Sequence, residues 1–156
     1  MPHRAFFVAV LLFALVGPME GASADDGIVS GLSFTVQSYQ RVRVTVTNES
    51  EAPEQVRFPT GTLLGTGDGA VQDLMLGEAI DVELAPGEKR AFLIETYCMQ
   101  QDRREPSGDM AVIGVAKEPF VRLLSLREGQ SQSEVQAMVW ALAARRDRLP
   151  DVVRTR

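Results

Sequence analysis

The chain has 156 residues, with 21 acidic side chains against 16 basic, a net charge of −5, one cysteine and one histidine. An acidic balance with few aromatics and no basic stripe argues against nucleic acid as a partner. The single histidine, His3, falls in a predicted leader, so the processed chain would hold none; this excludes Ser-His-Asp and Cys-His catalysis and histidine-bound zinc.

Arg4, the apolar run Ala5 to Val16 and the small-x-small site Ala22-Ser23-Ala24 predict a signal peptide over residues 1–24. The apolar run is too short for a permanent membrane helix, so no integral membrane segment is expected after processing. Losing Arg4 and Glu20 leaves the charge unchanged. What remains suits one domain, expected over residues 25–146 with a basic tail at 147–156. The expected location is secreted or periplasmic, with an extracytoplasmic protein or cell-surface component as partner. No cofactor motif and no metal site are read.

From Leu32 the chain alternates with a period of two, the pattern of strands with one buried face. Leu32, Phe34 and Val36 form one such row, and Val42, Val44 and Val46 the next. Asn48 to Pro53 reads as a loop, with a formal glycosylation sequon at Asn48-Glu49-Ser50. A short strand through Val56 and Phe58 follows. The glycines between Gly61 and Gly69 predict an irregular connection. Strands are expected over 71–76, 80–84 and 90–98, the last two joined by Ala85-Pro86-Gly87-Glu88 as a type II turn. In the last strand, Cys98 follows the apolar phase of Phe92 and Ile94, so its sulfur should look inward.

Residues 110–116 suggest a final strand. Pro119 then suits the first turn of a short helix through Phe120, Leu123 and Leu124. Ser131 and Glu134 form a capping box that opens a second helix to about Arg146. Val135, Met138, Val139 and Leu142 are its expected buried stripe, flanked by Gln136 and Trp140 one turn apart. The fold class is mainly β: an immunoglobulin-like β-sandwich with a short C-terminal helical pair.

An unpaired cysteine in an exported chain calls for an explanation. Three readings stand open: a small buried hydrophobe, one half of an intermolecular bridge, or a thiol held in protected form. Tyr97-Cys98-Met99, followed by Val135-Gln136-Ala137-Met138-Val139-Trp140, resembles the paired motifs of bacterial surface thioester domains. The resemblance implies an acyl bond between the Cys98 sulfur and the Gln136 side chain, with Tyr97 and Trp140 as flanking aromatics. A partner's amine or hydroxyl would then attack the acyl carbon and become attached. Complement-type proteins place the glutamine three residues after the cysteine, which makes Gln101 the weaker alternative donor. A looser resemblance, to small bacterial immunoglobulin-like secreted domains, rests on Val44 to Asn48, Phe58 to Gly61 and Leu84 to Glu88.

The expected function is a secreted, non-enzymatic interaction or adhesion module, attaching covalently through a Cys98–Gln136 thioester. The alternative is a proteinase-inhibitor-like or structural immunoglobulin-like module with no reactive bond. It would act through the loops around Gly61–Gly69 and Gln100–Gly108. A thiol enzyme using Cys98 is disfavoured without a histidine base, although Arg103 or Arg104 could lower the thiol pKa.

Overall fold

The computed structural model describes residues 31–147; the predicted leader and the tail beyond Asp147 lie outside the described residues. Among the described residues, eight strands precede two helices: β1 (Ser33–Ser38), β2 (Arg41–Thr47), β3 (Glu54–Phe58), β4 (Thr62–Gly65), β5 (Leu74–Leu76), β6 (Ile80–Leu84), β7 (Lys89–Cys98), β8 (Asp109–Val115), α1 (Glu118–Ser125) and α2 (Gln132–Asp147). The mainly β expectation with a C-terminal helical pair is met. The strands are arranged otherwise than as two open sheets: six close into a barrel in the order β1-β2-β7-β5-β4-β8, and β3 pairs with β6 as a separate ribbon.

The pattern of two does its work in the walls. Val42, Val44 and Val46 of β2 are wholly buried, while Arg41 and Arg43, which alternate with them, face solvent. They share one core with Phe34, Leu64, Leu74, Ile94, Cys98 and Met110, and with Val56, Ile80 and Leu84 from the ribbon. Phe34 and Phe58 meet edge to face across this core, ring centroids 5.5 Å apart. A second core lies outside the barrel wall, where Val135 and Val139 of α2 and Phe120 and Leu124 of α1 cover Met75 and Tyr97. Neighbouring residues of β7 are therefore buried on opposite faces, Tyr97 under the helices and Cys98 inside.

The glycine-rich stretch after Pro59 is not wholly irregular. It holds β4, a central barrel strand between β5 and β8 whose Thr62, Leu64 and Gly65 are buried. Gly61 (φ 85°) turns the chain into it and bonds both neighbours, its N–H to the Leu76 carbonyl and its carbonyl to the Ala116 N–H. The type II turn forms as expected, with Gly87 at φ 72° and a 2.9 Å bond from Glu88 N–H to the Ala85 carbonyl. The capping box also forms. Glu134 accepts from the Ser131 N–H at 2.7 Å, and those contacts hold its carboxyl below the ordinary value.

Asn48 belongs to the scaffold. Its side chain is fully buried and donates to the Ala52 and Leu84 carbonyls at 2.7 and 3.0 Å, while its oxygen accepts from Ser50. Its backbone bonds Gly87 and Glu88. A sugar on that amide nitrogen would take one of its two hydrogens and so remove one of these buried donations, so in the folded domain the sequon reads as a structural hub.

Candidate functional site

The site lies where β7 outruns β2. Along β7, alternate residues direct their backbone polar groups to opposite neighbours. Glu95 and Met99 face β5: the Glu95 carbonyl accepts from Gly77 N–H, and the Met99 N–H donates to Asp73. Thr96 and Cys98 face the other way, but β2 pairs only as far as Arg41 with Glu95. Thr96 N–H reaches the Gln40 carbonyl at 2.9 Å, beyond the strand's end. The Thr96 carbonyl and both backbone groups of Cys98 would be left without a strand.

Two glutamines of α2 fill the gap. Gln132 donates its side-chain N–H to the carbonyls of Gln40 (3.0 Å) and Thr96 (3.3 Å). Gln136 bonds Cys98 twice: its oxygen accepts from the Cys98 N–H at 2.8 Å, and its nitrogen donates to the Cys98 carbonyl at 2.9 Å. Four helix residues advance about 6 Å and two strand residues about 6.6–6.8 Å, so glutamines four apart match carbonyls two apart. The helix thus supplies the ladder bonds of a missing strand. Gln136, read from sequence as a flank residue, is only 4% exposed.

The Cys98 sulfur points away from this edge, into the barrel core. Only 2% of the residue is exposed, and the thiol donates to the Tyr39 carbonyl at 3.7 Å. Burial, with a smaller contribution from the Glu105 carboxylate, pushes the thiol pKa up to about 11. Arg103 and Arg104 do not lower it. Arg104 pairs with Asp68 at 3.1 Å and Arg103 lies 3.9 Å from Asp73.

Tyr97 faces the helices. Its hydroxyl bonds Glu95 and accepts from Arg127 at 2.9 Å, and the Arg127 guanidinium stands 5.9 Å from its ring centroid. Burial and the Glu95 bond raise its pKa to about 12. Gly77 makes room for this cluster, because a Cβ there would lie 2.6 Å from Arg127 and 2.9 Å from the Tyr97 ring. Trp140 packs on the barrel core and, with Met99, Gln100, Gln101 and Asp102, lines a cleft of about 280 Å³. Its buried indole N–H has no partner among the described residues. Gln101 is exposed on that loop, and it is Gln136 that sits on Cys98.

Tyr39, Gln132 and Arg127 were not singled out from sequence. Gln132 had a readable signal, since it lies one turn before Gln136. Tyr39 contributes through its backbone carbonyl, for which side-chain identity carries no cue.

The two polar loops between barrel strands meet on one surface. Arg104 N–H bonds the Ala70 carbonyl, Gln72 N–H bonds Arg104, and the Gln72 side chain bonds Arg103 at 2.7 Å. Between them lies a polar cleft of about 400 Å³ lined by Asp68, Arg104, Glu105 and Ser107 among others. Among the described residues no cluster of His, Cys, Asp and Glu has the makings of a metal site, and no helix is long and apolar enough to cross a membrane. Comparison with protein-family models, characterised proteins and solved structures yields no match to this chain.

Proposed function

We propose that this chain is an exported, non-enzymatic interaction module that meets an extracytoplasmic partner through its paired loops, residues 66–73 and 100–108. The observation that carries the reading is the fastening of those loops to one another by backbone bonds and the Arg104–Asp68 ion pair. Loops held by a scaffold present a preformed surface, which lowers the ordering cost of binding. An immunoglobulin-like kinship is part of the proposal. Its support is the β3–β6 ribbon, which shares one core with β1, β2 and β7 much as facing sheets do. The Cys98–Gln136 contact then serves as the joint that holds α2 on the barrel. A photo-crosslinker at Glu105 should capture a partner in the native envelope, and one at Gln55 on the ribbon should not. Equal capture at both positions contradicts the loop assignment.

A second reading is favoured by the contact itself: Gln136 brings its acyl carbon to the residue that bears the thiol. Forming the thioester would join the sulfur to that carbon and break its bond to nitrogen. The thiol proton would leave with the nitrogen as ammonia. The bond would cost the donation to the Cys98 carbonyl and require the carboxamide to turn from the strand edge toward the core. A partner amine would later take the acyl group and release the thiol. Intact mass without reductant separates the two readings, the thioester being one ammonia lighter.

A further inference from the structure

Away from both loops and the Cys98 joint, α1 and α2 leave an open groove of about 360 Å³ between them. Leu123 and Leu126 of the α1 side and Met138 and Leu142 of α2 form its floor and walls, and Leu126 is 66% exposed. Among the described residues, Arg122 and Arg145 are its charged lining, no carboxylate lines it, and neither arginine forms an ion pair. On a chain of net charge −5, two cations bordering one apolar groove form a local field of opposite sign.

We propose that this groove binds a single-chain anionic amphiphile, an acyl chain ending in a carboxylate. The volume falls at the lower end of small-ligand clefts, which are mostly apolar with a few placed polar groups. An acyl chain along Leu123, Leu126, Met138 and Leu142 would cover exposed carbon and needs no hydrogen bonds. An extended peptide would bring backbone N–H and C=O groups, and the lining offers no side-chain acceptor for the former. Guanidinium groups suit a carboxylate, which they bind through charge-assisted, often paired, hydrogen bonds. The inference is independent of the proposed function, since no groove residue belongs to the loops or to the joint.

The test titrates the full processed chain with dodecanoate below its micelle concentration, followed by calorimetry and by the methyl signal of Met138. Saturable one-to-one binding that shifts Met138 is expected. The double variant Arg122→Gln/Arg145→Gln should bind at least about tenfold more weakly. So should Leu126→Asp, an exposed site where the charge repels the ligand and the fold is not at risk. Dodecyltrimethylammonium, with the same chain and the opposite charge, should bind at least about tenfold more weakly than dodecanoate. The proposal is overturned if the cationic probe binds as tightly or if binding does not saturate. It is likewise overturned if an acidic helical peptide takes the groove while dodecanoate does not.

Discussion

At the scale of single residues, the chemistry of this molecule turns on how Gln136 uses its two amide functions. Both meet the backbone of Cys98 in a buried place, so truncation leaves an N–H and a C=O without partners. Gln136→Ala should destabilise the fold by roughly 2–6 kcal/mol, from about 1–3 for each of the two stranded groups, read by urea denaturation. Gln136→Glu gives a sharper test. A protonated carboxyl can still accept from Cys98 N–H and donate to its carbonyl, but a carboxylate loses the donor and is buried charged. Its folded pKa is raised above an unfolded value of about 4.3, so the variant should be near native below that pH and lose stability as pH rises through it. Equal stability at pH 4 and pH 7 would contradict the buried contact. The thiol answers to its own surroundings. With a pKa near 11 against an ordinary 9, its thiolate fraction at pH 8 is roughly 100-fold below that of the unfolded chain. Alkylation of the native protein should be slower than in urea by at least that factor. The same shift makes stability fall as pH rises from 9 toward 11, because the unfolded chain releases this proton first.

At the scale of elements, α2 is held twice, by apolar burial of Val135 and Val139 and by the glutamine ladder on β7. Gln132 and Gln136 fill successive places on one edge, so their alanine substitutions should couple: the double variant should differ from the sum of the singles by at least about 0.5 kcal/mol in a double-mutant cycle. The strands with strict alternation, such as Val42 to Val46, and the stretch Phe92 to Ile94 were legible in the sequence because one buried face imposes period two, whereas the end of β7 is buried on both faces. β4 was not legible. Its four residues sit among glycines, and its strand character comes from pairing with β5, the next strand, and with β8, which is distant in sequence. The position of Gln136 was legible as a helix flank near Cys98, but the backbone bonds were hidden. They depend on where β2 stops, and no local pattern reports that.

At the scale of the whole molecule, the barrel closes through a short seam. β2 and β7 pair over seven residues, whereas β1 and β8 close the ring through Phe34 with Met110 and Thr35 with Asp109. Hydrogen exchange should therefore protect β2 amides far longer than those of β8, and uniform protection would contradict this topology. Exposed Val112, Ile113 and Val115 lie along the same strand, where opening would also uncover the core. The joint on the opposite side of the ring must persist in the resting molecule if the loops and helices are to keep one geometry. The most direct measurement is the intact mass of the protein purified without reductant, before and after methylamine and after alkylation in urea. The account predicts the unmodified mass, no methylamine adduct, and one alkyl group gained only on unfolding. A species one ammonia lighter that takes up methylamine at Gln136 would contradict it.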